Sequence, residues 1–144
     1  GREREKLTQA QEEVHDFRDA RGRFTSDWRL QVTVKQHKGK TDLVGQRIDS
    51  ARVQKATAFR LYTVDPSLLV RVTLKNLSLS TDVLFAPVYI TDTGIEEPEK
   101  LVTVASGAEY ELPYSLQKDE GEEEDSWAIK DADGKTVLKL RFTL

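Results

Sequence analysis

The chain has 144 residues, 38% hydrophobic and 33% charged, with a formal net charge of -3, two His, no Cys and no Met. That length suits one domain with its own core, and the hydrophobic share is too high for a wholly disordered chain. No run approaches the roughly 20 apolar residues that span a bilayer, and the lack of Cys excludes disulfide scaffolds, Cys-based metal sites and thiol catalysis.

The chain opens on Gly1, without Met or a charged-then-apolar leader, and is therefore expected to be a piece excised from a longer protein. Its small net charge conceals an asymmetry. Residues 1–27 sum to -1, residues 28–75 to +7 and residues 76–144 to -9. Two halves of opposite sign neutralise each other if they interleave in one domain; if they segregate, the basic one is where an acidic partner docks.

Residues 1–24 carry a helical pattern. Leu7, Ala10, Val14 and Phe17 recur at spacings of three and four among charged residues and Gln, giving one narrow apolar stripe. The same spacing is a heptad seam, but it meets Arg21 at the next position and is broken by Gly22, so it lasts about two heptads. The predicted element is a charged amphipathic helix running to about Arg21, acting as a linker or as a short coiled coil. Leu7, Val14 and Phe17 are its candidate contacts for self-association.

From Trp28 the period changes to two. Trp28, Leu30, Val32 and Val34 alternate with polar residues, as do Leu68, Val70, Val72 and Leu74, and Leu138, Leu140, Phe142 and Leu144. Further strands are predicted near 53–64, 83–92, 101–105, 109–115 and 126–131, with turns at Gly39, Asp65-Pro66, Asn76, Thr93-Gly94, Ser106-Gly107 and Asp133-Gly134. The last pair reads as a type I′ hairpin. Pro87 and Pro113 mark edge strands or bulges, Leu68–Lys75 a central strand, and Trp28, Val72, Phe85, Trp127 and Phe142 the core. The fold class expected is mainly β: an antiparallel immunoglobulin-like β-sandwich of seven to eight strands over residues 25–144, preceded by the charged helix.

Tests for chemistry come out against catalysis. His15 falls on the charged helix and His37 in the turn Lys35-Gln36-His37-Lys38-Gly39-Lys40, so both read as surface histidines, and no G-x-S-x-G elbow exists. Gly39-Lys40-Thr41 and Gly134-Lys135-Thr136 match only the end of a phosphate-binding loop. The required first glycine is Val34 in one case and Ile129 in the other. Asp131-Ala132-Asp133-Gly134 misses the calcium-loop spacing, and Phe142 stands where the closing Glu would be. Six carboxylates within Asp119–Asp125 read as a solvated connection, and Asn76-Leu77-Ser78 matches a glycosylation sequon. Nucleic acid is disfavoured because the basic turn at 35–40 has no interleaved aromatic residue. No cofactor is expected.

The runs Leu68–Asn76 and Trp127–Lys135 resemble strands of immunoglobulin-like accessory domains in bacterial multidomain proteins, although the antibody-type Cys pair is missing. The function expected is that of a non-catalytic protein-interaction or structural domain. Its partner would be another protein, met by Lys35, Lys38 and Lys40, or a second copy met through the N-terminal helix. The alternatives are an accessory or regulatory domain of an enzyme whose catalytic part lies upstream, and a calcium- or small-ligand-binding sandwich.

Overall fold

The computed structural model describes residues 17–18, 24–25, 28–53, 57–90, 94, 96–98, 100–113 and 124–143. Two short strands, β1 (Phe17–Arg18) and β2 (Phe24–Thr25), pair with each other. Then follow β3 (Trp28–Lys38), β4 (Asp42–Val53), β5 (Ala58–Thr63), β6 (Leu69–Asn76), β7 (Val83–Ile90), β8 (Glu96–Pro98), β9 (Val102–Val104), β10 (Glu109–Glu111), β11 (Glu124–Lys130) and β12 (Thr136–Thr143). No helix occurs among the described residues. Phe17, expected in the N-terminal helix, has a strand backbone, and Leu7, Ala10 and Val14 lie outside the described residues.

The ten strands β3–β12 form two sheets around one core. One sheet has the order β10-β6-β3-β4; the other runs β5-β12-β11-β7, with β8 and β9 both on the far side of β7. This corrects the expected seven to eight strands, and one pairing corrects the antiparallel expectation: β5 runs parallel to β12. The β-sandwich-like arrangement itself follows from the alternation in the chain. Leu30, Val32, Val70, Val72 and Leu74 of the first sheet and Phe85, Trp127, Ile129, Leu140 and Phe142 of the second are wholly buried between them. Trp28 meets Phe85 across the core at 6.3 Å between ring centroids, and Phe85 meets Tyr110 edge-on at 5.9 Å, linking the sheets. All five expected core residues are buried.

β6 is interior, between β3 and β10, as its pattern predicts. Pro87 does not make β7 an edge. It falls between Val83–Phe85, which pair with β9, and Val88–Ile90, which pair with β8, so a residue without an N–H sits where that ladder is broken. Pro113 lies beyond the end of β10.

The Asp133-Gly134 turn is not type I′, which needs positive φ at both central residues. Only Gly134 has it, at 83°, and its N–H donates to the carbonyl of Asp131, giving a turn closed by a left-handed glycine beside a bulge at Ile129/Lys130. The Asp131 carboxylate accepts the N–H groups of Asp133 and Lys135, each at 2.9 Å. Its role there is to hold the turn.

Asn76, the single Asn of the chain, ends β6 fully buried. Its Nδ2 donates to the carbonyls of Thr81 (2.7 Å) and Val104 (3.1 Å), and its Oδ1 accepts the N–H of Ser78. Its backbone meanwhile bonds Ala108 and Gly107. The apparent sequon is therefore a structural pin with no side-chain nitrogen open to modification in the folded state.

Candidate interaction surface

β3 and β4 form a long hairpin whose root is core and whose far end leaves it. Trp28, Leu30, Val32 and Val34 of β3 are buried, and so are their partners Val53 and Ala51 on β4, but from Asp42 to Ser50 no β4 residue is buried. The sequence hides β4 for that reason: with no face against the core, period-two alternation has nothing to enforce it. A bulge between Gln36 and His37 leaves Val44 without an opposite residue, and Gly39, at φ 66°, turns the chain.

Lys35, Lys38 and Lys40 gather at this far end. Lys35 is half-buried on the outer face of β3, opposite Gln46 of β4 and Arg71 of β6, while Lys38 closes β3 and Lys40 stands exposed in the turn. None of the three enters an ion pair among the described residues. Arg71 does: its guanidinium pairs with Glu111 of β10, and that hydrogen bond raises its pKa further. Two open depressions share this pair. One, of about 340 Å³, is lined by Lys35, His37, Thr73 and Glu109 besides; the other, of about 430 Å³, adds Lys40, Leu69, Leu112 and Pro113.

His37 is not the surface residue its basic neighbours suggested. It lies between Leu43 and Leu69 in register, 8% exposed, and neither ring nitrogen has a hydrogen-bond partner. His15 and Asp119–Glu123 lie outside the described residues. Among the described residues no group of three His, Asp or Glu side chains is placed to hold a metal, and no helix is long and apolar enough to cross a membrane.

Where the sheets meet side by side, edge strands β4 and β5 are bridged by charge. Arg60 of β5 pairs with Asp49 of β4 at 3.1 Å and donates to the carbonyl of Ser50 at 2.7 Å, while Asp49 accepts the Ser50 N–H at 2.8 Å. Arg47 lies over the ring of Tyr62, 5.2 Å from its centroid. Burial pushes the Tyr62 phenol up to about 12, reinforced by Asp49 and opposed by Arg47 and Arg60. Five large apolar side chains on these two strands nevertheless stay exposed: Leu43, Val44 and Ile48 on β4, Phe59 and Leu61 on β5.

The lysine cluster was visible in the sequence. Arg47 and Arg60 read there only as part of the basic segment 28–75, and Ile48 and Asp49 carried no signal, because the meaning of all four depends on β4 and β5 being neighbouring edges. Comparison with protein-family models, curated proteins and solved structures finds no match.

Proposed function

We propose that the chain is a non-catalytic, immunoglobulin-like interaction domain that docks an acidic surface of another protein on the far end of the β3–β4 hairpin. Strand neighbours support the immunoglobulin-like type. The order β3-β6-β10 follows the A-B-E neighbours of that fold and β7-β11-β12 the C-F-G neighbours, with β4 an added strand outside β3. Residues 1–24, which include the strand residues Phe17, Arg18 and Phe24, serve as a linker or a self-associating segment.

The observation that carries the docking role is the contrast among cations. Arg60 and Arg71 are ion-paired with carboxylates, whereas Lys35, Lys38 and Lys40, at one end of the hairpin, enter no ion pair among the described residues. A partner's carboxylates would supply the missing charge, and the exposed Leu43 and Val44 the apolar contact beside it.

Titration with polyglutamate as an acidic probe tests this. Binding should weaken at least about tenfold in Lys35→Gln/Lys38→Gln/Lys40→Gln, and fall as salt rises. Absence of binding by the native chain, affinity unchanged in the triple variant, or equal affinity for a single-stranded oligonucleotide would overturn the reading.

A further inference from the structure

β4 has a second edge. Among the described residues it pairs only with β3, and on its other side it meets β5 through side chains and makes no backbone ladder. The carbonyl of Ser50 is bonded by Arg60 of β5 and therefore points away from β3; by the alternation of an antiparallel ladder, Ile48 and Gln46 turn their N–H and C=O groups the same way. Natural edges of this length are normally blunted. Here, among the described residues, only Ser50 is, with its N–H and C=O capped by Asp49 and Arg60, whereas Ile48 stands 54% exposed at the middle of the strand.

We propose that β4 pairs antiparallel with β4 of a second copy, across a twofold axis at Ile48, joining the two four-stranded sheets into one. Charge selects both the occupant and the register. Arg47 and Asp49 flank Ile48, so an axis at Arg47 would set two guanidinium groups face to face and an axis at Asp49 two carboxylates. Only an axis at Ile48 opposes each Arg47 to the other copy's Asp49. In that register Ile48 faces Ile48, and Gln46 faces the second copy's Ser50, replacing the side-chain caps on Ser50 with backbone bonds. Asp49, released from Ser50 and still paired with Arg60 through its other oxygen, meets the second copy's Arg47.

A ladder centred on five residues buries less than the roughly 1,200 Å² of a standard interface, so association is weak and concentration-dependent. It does not depend on the lysine cluster. Sedimentation velocity of the full chain from about 10 µM to about 1 mM should show the mass moving from monomer toward dimer. Ile48→Lys should stay monomeric with an unchanged melting curve. Because the chain has no Cys, one introduced thiol reports the register. Ile48→Cys should cross-link under mild oxidation, its opposed Cα atoms being about 5.5 Å apart and within disulfide reach, whereas Arg52→Cys, opposed to Val44, should not. A monomer at about 1 mM overturns the proposal. So does a dimer that survives Ile48→Lys, as one formed through residues 1–24 would, or equal cross-linking at positions 48 and 52.

Discussion

The four-stranded sheet ends in two edges built on opposite plans. β10 is three residues long, carries Glu109 and Glu111, and is tied to its neighbour through the Arg71–Glu111 pair and the backbone bonds of Asn76 with Gly107 and Ala108. β4 is twelve residues long, exposes Leu43, Val44 and Ile48, and is anchored to the core only at Ala51 and Val53. An edge kept short and charged closes a sheet against further strands, whereas a long edge with apolar side chains leaves it open. That difference is why we propose β4 as the side of the molecule that makes contacts.

The largest expected effect lies at the root of the hairpin. Trp28→Ala, removing a side chain 1% exposed beside Val53 and Phe85, should cost about 3–5 kcal/mol in denaturant unfolding, while Ile48→Ala should stay within about 0.5 kcal/mol. Similar costs at the two positions would remove the distinction between rooted and free halves of the hairpin.

At the closed edge, Asn76→Ala leaves the carbonyls of Thr81 and Val104 without their side-chain donor and should destabilise by about 1–3 kcal/mol. Hydrogen exchange should quicken first at Gly107 and Ala108. Uniform acceleration over all strands would mean that Asn76 holds the whole fold and not that edge.

Beneath the open edge, the Tyr62 hydroxyl is buried without a hydrogen-bond partner. The native state therefore favours the neutral phenol, whose pKa is raised from 10.0 to about 12. Stability on this account is intact below pH 10 and is lost as pH rises from about 10 toward 12, where the unfolded chain ionises and the native one does not. Tyr62→Phe should be near neutral in stability at pH 7 and should abolish this alkaline loss, which a pH series of unfolding curves would show. A phenol titrating at its ordinary value in the native protein would mean that the gap between β4 and β5 admits water.

Much of the sandwich was legible. Alternation located β3, β6 and β12, and large buried residues such as Trp127 and Phe142 were recognisable because a strand with one core face must repeat every second position. β4 was not legible, since residues 42–50 have no buried face to write a pattern. β8, three residues long, is too short to carry one. Of the candidate site, the cluster of Lys35, Lys38 and Lys40 could be read directly, whereas the burial of His37 depends on Leu43 and Leu69 arriving from two other strands.

The sequence by itself determined that the chain builds a β core, which residues fill it, and that its basic charge is concentrated in residues 28–75. Tertiary structure alone decided where that charge goes. Three of the four strands of one sheet come from the basic segment, so the charge collects on one side, with Glu109 and Glu111 of β10 brought in against it. It also decided that β4 and β5 are neighbouring edges, that Arg60 is ion-paired while Lys38 enters no ion pair among the described residues, and that Ile48 faces solvent. Composition and periodicity are local, while ion pairing and edge exposure depend on which strands the fold sets side by side.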